Sequence, residues 1–160
     1  MKKLLIGLSL LLFLTSPALA VDATRSGKKV EFRERITQVR DEKKQQILEH
    51  INSQLTLINE RATKAMLNHL EQLQALLDKI KARVPAVDTT AAQAKIDEAK
   101  AAVEAQAAKE YVIEFTDETG LHVGASTAKT QLWTDLKAVR EKVRLARQAV
   151  VDVLKAAKAL

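Results

Sequence analysis

A stretch of about 55 residues without proline or glycine, from Val30 to Val84, constrains the fold more than any other feature. Apolar side chains recur within it every three or four positions, which is the period of one helix face. An uninterrupted helix of this length would extend for about 80 Å, which is too long for an ordinary globular core. A helix like this packs lengthwise against others, so the sequence predicts an elongated all-α protein.

Proline and glycine divide the remaining chain. Pro85 ends the first helix, because the residue before a proline avoids the helical conformation, and Gly120 and Gly124 lie between two further helical patterns. We predict helices over residues 28–84, 89–115 and 126–158, after a flexible leader at 21–27. Short connections make successive helices antiparallel, so the predicted fold is an antiparallel three-helix bundle or coiled coil.

The segment from Tyr111 to Val123 allows two interpretations. Tyr111 to Thr116 is β-branched and aromatic, unlike the alanine-rich run before it. It forms either the last turns of the second helix or a short strand that pairs with residues 121–123 in a hairpin. We favour the helix, because an isolated two-stranded hairpin is marginally stable in water.

The three predicted helices differ in length, and this difference predicts a projecting arm. The second and third helices extend for about 40 and 50 Å, so they cover the first helix only back to about Leu57. The first half of the long helix, residues 28 to about 55, then projects with an uncovered apolar stripe. We predict that a protein partner or a second copy of the chain binds this stripe, at Ile36, Val39, Ile47 and Ile51.

The first twenty residues have the form of a cleavable signal peptide. Lys2 and Lys3 precede an apolar run from Leu4 to Leu14, and residues 18–20 read Ala-Leu-Ala. We expect cleavage after Ala20 and export to the periplasm or the cell exterior; the alternative is an uncleaved membrane anchor. The chain has no cysteine, so it forms neither disulfides nor thiolate metal sites.

The formal net charge of +6 is unevenly distributed along the chain. The second helix is acidic and the third is basic, so the two complement each other. Four cations of the third helix are spaced to share one face and could bind an anionic polymer or a membrane surface. They are Lys137, Arg140, Arg144 and Arg147. No aromatic residues are interleaved with these cations, which does not favour single-stranded nucleic acid as the partner.

No set of residues predicts catalysis. Serines and threonines lack an adjacent base, there is no phosphate-binding glycine-rich loop, and a slim bundle leaves little room for a small-molecule pocket. Asp117, Glu118 and His122 lie close together, but their spacing fits no common metal motif. His50 and His69 are far apart in the first helix. We therefore expect a protein that is not an enzyme and has neither a cofactor nor a metal site.

Trp133, the only tryptophan, also allows two interpretations. It either closes the end of the bundle as part of an apolar plug with Tyr111 and Phe115, or it anchors a partner, as exposed aromatic residues often do at interfaces.

Together these features predict an exported coiled-coil protein that serves as a structural or protein-interaction module of the cell envelope. A periplasmic holdase chaperone is the alternative, because in length, signal peptide, basic charge and coiled-coil content the chain resembles the Skp-type outer-membrane chaperones. In that family an apolar β segment begins the mature chain, whereas residues 21–29 are polar here, so no residue roles are transferred. A third alternative is a binder of anionic envelope polymers.

Overall fold

The computed structural model describes Gly27, residues 30–115 and residues 120–159. The predicted signal peptide, its cleavage site and most of the leader lie outside these residues. The described chain is an all-helical bundle without strands, which confirms the predicted class. Helical residues 30–36 form α1, followed by α2 (Glu42–Arg83), α3 (Thr90–Ala107) and α4 (Leu121–Ala159). No helix in this part of the chain is long and apolar enough to cross a membrane.

Two side-chain pairs show that α2 and α3 are antiparallel. Near the connection between the helices, Gln74 and Gln93 exchange amide hydrogen bonds of 2.9 and 2.8 Å. Farther from it, Asn59 lies beside Gln106. The chain therefore runs in opposite directions along α2 and α3.

The third long helix returns in the opposite direction to α3. The Lys142 ammonium group contacts Glu98 within α3, and Asp135 contacts Lys109 just after α3 ends. Because α4 is antiparallel to α3, it runs parallel to α2. The three long helices therefore alternate in direction, and each packs against the other two. With α1, the described chain has four helices instead of the predicted three.

The prediction of one continuous helix over residues 28–84 is wrong. The first helical segment ends at Ile36, and α2 begins only at Glu42. The Thr37 hydroxyl donates to the carbonyl oxygen of Glu34 at 2.7 Å, while the Asp41 carboxylate accepts from the backbone N–H of Lys43 at 2.9 Å. Because these bonds satisfy helix-end groups on both sides, the chain breaks here without glycine or proline.

The break changes which apolar residues face the core, and it removes the predicted arm. Ile36 and Val39 are 4 and 3% exposed and belong to the same core as the long helices. Beyond the break Leu48 is buried, whereas Ile47 is 58% exposed. A straight helix could not turn both segments inward, because their apolar stripes are out of register with each other.

The second predicted helix, over 89–115, ends at Ala107, and neither interpretation of residues 111–123 is correct. Residues 109–115 have no regular secondary structure, although Tyr111 and Ile113 are buried. Residues 121–123 form the first turn of α4, which starts five residues before the predicted boundary at 126. Gly124 permits this start, because a Cβ at that position would lie 2.0 Å from the carbonyl oxygen of Glu114. Residues 116–119 lie outside the described part.

Candidate interaction site

A buried polar network lies where α3 ends. The Asn59 side-chain amide donates to the carbonyl oxygens of Gln106 at 3.0 Å and Lys109 at 3.3 Å. In turn, the Gln106 amide donates to Asn59 Oδ1 at 3.0 Å and to the Tyr111 hydroxyl at 2.6 Å. Tyr111 then donates to Asp135 Oδ2 at 2.7 Å. The network thus joins α2, the end of α3, the irregular segment and α4 at one level of the bundle.

Asp135 supplies the negative charge of this network. Its carboxylate accepts hydrogen bonds from Lys109 at 2.9 Å and from Gln131 at 3.0 Å, besides the one from Tyr111. Burial opposes ionisation, but these donors outweigh it and lower the pKa of Asp135. Burial, together with the bond to Asp135, raises the pKa of Tyr111, so the phenol stays a proton donor at neutral pH.

The side of α4 that faces α3 has its charges paired. Lys142 contacts the Glu98 carboxylate at 2.5 Å, and Lys95 contacts it at 2.9 Å. The hydrogen bond from Lys142, followed by that from Lys95, lowers the pKa of Glu98 to about 2. The predicted complementarity of an acidic second helix and a basic third helix is present at this contact.

The four predicted anion-binding cations lie on a different side of α4, where all are exposed. Arg144 makes a two-pronged contact with Glu141 of its own helix, at 2.9 and 2.7 Å, and this contact raises the pKa of Arg144. Lys137 and Arg147 form no ion pair with another residue of the described chain. We call Lys137, Arg140, Arg144 and Arg147 the basic row; it extends for about 15 Å along the helix.

Trp133 adjoins the basic row instead of closing the bundle. Its ring is 43% exposed, and the Arg140 guanidinium carbon lies 5.8 Å from the ring centroid. This distance is within the range of a cation–π contact. The plug interpretation is therefore wrong, and an aromatic residue does lie at the end of the row.

A groove of about 490 Å³ lies between α2 and α4 beside Trp133. We call it the Trp133 groove. Its apolar lining consists mainly of aliphatic side chains of α2, while histidines and a lysine supply its basic groups. The lining residues include Ile51, Leu55, Ile58, His50, His122, Ala125 and Lys129. The slim bundle was expected to leave little room for a sizeable pocket, but the early start of α4 places its first turns opposite α2 and a groove lies between them.

The predicted partner-binding residues do not share one surface. Ile36 and Val39 are in the core, Ile47 is exposed, and Ile51 lines the Trp133 groove. Local sequence patterns predicted a loop over residues 121–125 and therefore did not predict this groove. The sequence feature that indicates one wall of the groove is the spacing of Ile51, Leu55 and Ile58, which lie on neighbouring turns of α2.

Asp117 and Glu118, two of the three residues considered as metal ligands, lie outside the described residues, and the third, His122, lines the Trp133 groove. Within the described ranges there is no group of three or more histidine, aspartate or glutamate side chains arranged to hold a metal ion. A larger groove of about 690 Å³ is lined by Arg35, Tyr111, Phe115 and Gly120 among others.

Comparison of the chain with known protein families, with curated proteins and with solved structures finds no match.

Proposed function

We propose that the protein is a non-catalytic interaction module of the cell envelope, exported after cleavage following Ala20. In this proposal the long helices provide a stiff support, and the basic row on α4 contacts an anionic partner. The buried Ile36 and Val39 remove the basis for binding through a projecting N-terminal arm.

The observation that carries the proposal is the difference between the two sides of α4. On the side facing α3, Lys142 is held by Glu98. On the other side, the four cations of the basic row are exposed, and only Arg144 has a carboxylate partner among the described residues. Adjacent exposed cations produce a local positive potential, which attracts negatively charged polymers and surfaces.

Retention on a column of immobilised sulfated polysaccharide tests this proposal. Reversing the basic row to glutamate should lower the salt concentration at which the protein elutes. A control variant carries four charge reversals at exposed lysines elsewhere, so both variants have the same net charge. The control positions are Lys43, Lys64, Lys79 and Lys100. Equal elution of the two variants would show that only net charge matters and would contradict a site at the basic row.

A holdase chaperone is a second candidate, favoured by exposed apolar side chains near one end of the bundle. Ile47, Val123 and Trp133 are 58, 65 and 43% exposed. Exposed apolar surface can hold the apolar segments of an unfolded chain. The assay is suppression of aggregation of an unfolded outer-membrane protein. Suppression at near-stoichiometric ratios supports this candidate if it is weaker in a variant that carries both Ile47→Ser and Val123→Ser. A protein that does not suppress aggregation rules the candidate out.

A further inference from the structure

We propose that the Trp133 groove binds an amphiphilic anion, namely a single acyl chain that ends in a carboxylate or a phosphate. This inference goes beyond the proposed function and does not depend on it, because the basic row lies outside the groove.

The lining of the groove combines an apolar surface with basic groups at its edge. Leu55 is buried, and Ile51, Ile58 and Ala125 are half-buried, so an acyl chain placed against them removes apolar area from water. The volume of about 490 Å³ lies within the range of small-molecule sites. A ligand with an apolar body therefore matches this part of the lining.

The ionisable groups of the lining select the charge of the ligand. They are His50, His122 and Lys129, and no carboxylate is among the described residues that line the groove. His50 lies on α2, whereas His122 and Lys129 lie on α4, so basic groups stand on both walls. An anionic headgroup receives charge-assisted hydrogen bonds from such groups, whereas a cationic headgroup would be repelled by Lys129.

Further cations stand just outside the groove and favour the same charge. Lys129 and Trp133 also line a shallower depression that reaches Lys137. Arg140 lies over the Trp133 ring, 5.8 Å from its centroid. The lining therefore combines apolar side chains with a positive edge, and charge complementarity assigns an acyl anion instead of a neutral or a cationic amphiphile.

Trp133 is the only tryptophan of the chain and lines the groove, so its fluorescence reports binding directly. The probe is dodecanoate below its micelle concentration, added to the full chain after removal of the signal peptide. We expect a blue shift of the emission that saturates at one dodecanoate per protein chain. Dodecyltrimethylammonium should bind about tenfold or more weakly, because Lys129 repels its headgroup. Butyrate, which has the charge without the chain, should produce no shift.

Two variants separate the charge of the groove from its volume. Lys129→Gln should weaken dodecanoate binding about tenfold, and the matched control Lys155→Gln, at an exposed lysine of the same helix, should not change it. Ala125→Leu narrows the groove and should abolish the blue shift while leaving every charge in place. If Ala125→Leu loses helix content, Ser126→Leu at the exposed rim takes its place.

Several results would overturn the inference. One is equal affinity for the anionic and the cationic amphiphile, and another is an unchanged dodecanoate affinity in both Lys129→Gln and the narrowed variant. Phosphatidylglycerol vesicles distinguish a free amphiphile from a membrane surface. If the protein binds these vesicles but does not bind monomeric dodecanoate, it recognises the anionic surface of a membrane, and the groove site is overturned. A variant of the basic row that no longer binds vesicles or polysaccharide, but still binds monomeric dodecanoate, bears on the proposed function and leaves the groove site unaffected.

Discussion

At the end of the bundle where α2 turns into α3, the long helices meet through aliphatic and alanine side chains, whereas farther from this turn a buried polar network is added to the apolar contacts. Near the turn, Leu77, Ala92 and Val150 are almost fully buried. Around the end of α3, the buried contacts include Asn59 and Gln106, followed by the irregular segment 109–115. We call these two regions the apolar end and the polar end.

The difference follows from the lengths of the helices. By residue count α2 extends for about 63 Å and α4 for about 58 Å, but α3 extends for only about 27 Å. Beyond Ala107 no third helix continues beside the other two, so the chain covers them with residues 30–39 and 108–115. Within this cover, the Lys109 carbonyl oxygen and the Tyr111 hydroxyl are hydrogen-bonded through the network, and grooves remain between the elements. The two larger grooves, Trp133 and most exposed apolar residues therefore lie at the polar end.

The largest expected effect tests close packing at the apolar end. Leu77→Ala should lower the free energy of unfolding by about 2–5 kcal/mol, because it opens a cavity at a side chain that is 1% exposed. The neighbouring Leu76 is 39% exposed, so Leu76→Ala should change stability by less than about 1 kcal/mol. Urea unfolding followed by circular dichroism measures both. Equal losses in the two variants would contradict the assigned helix register.

The second prediction tests whether the polar end depends on its hydrogen bonds. Asn59→Leu removes one acceptor from the buried Gln106 amide and one donor from each of the Gln106 and Lys109 carbonyl oxygens, which should cost about 1–3 kcal/mol. The control is Asn52→Leu in the same helix, because Asn52 Oδ1 is buried with no hydrogen-bond partner among the described residues. That variant should be neutral or stabilising. A larger loss at Asn52 than at Asn59 would show that the network does not stabilise this end.

A third prediction concerns the close approach that starts α4. Glycine to alanine usually stabilises a helix interior by about 1 kcal/mol, but Gly124→Ala should destabilise by about 1–3 kcal/mol. The added Cβ would lie 2.0 Å from the Glu114 carbonyl oxygen, so the irregular segment or the first turns of α4 must move. Gly27, also helical, has no atom within 4 Å of such a Cβ, so Gly27→Ala should not lower stability. Thermal unfolding of both variants checks the difference in sign.

The smallest expected effect is a pH dependence that belongs to the polar end. The pKa of Asp135 is lower in the folded chain than in the unfolded chain. Its contribution to stability is therefore present above the unfolded pKa, about 3.9, and is lost as the pH falls through the lower folded value. Asp135→Asn should be less stable than the parent near neutral pH and should lose less stability on acidification. Parallel pH profiles of the two proteins would contradict this role of Asp135.

The sequence by itself determined the features that depend on local periodicity and composition. The apolar stripes at Leu70, Leu73 and Leu77 and at Leu132, Leu136 and Val139 specified two long helices with one buried face each, and Pro85 specified the turn between α2 and α3. The exposure of the basic row also followed from its spacing on the flank of α4. These properties require no knowledge of the neighbouring elements.

Only the tertiary structure decided where helices stop when no proline or glycine marks the end. Residues 37–41 have ordinary helix-compatible side chains, and the break exists because it turns Phe32, Ile36 and Val39 into a core that a straight helix would leave in water. Likewise, α3 ends at Ala107 because Tyr111 and Ile113 gain burial in an extended chain, and α4 begins at Leu121 because Gly124 admits the Glu114 backbone. Such boundaries depend on burial against residues distant in sequence, so the Trp133 groove, which they create, could not be located from the apolar spacing of α2 alone.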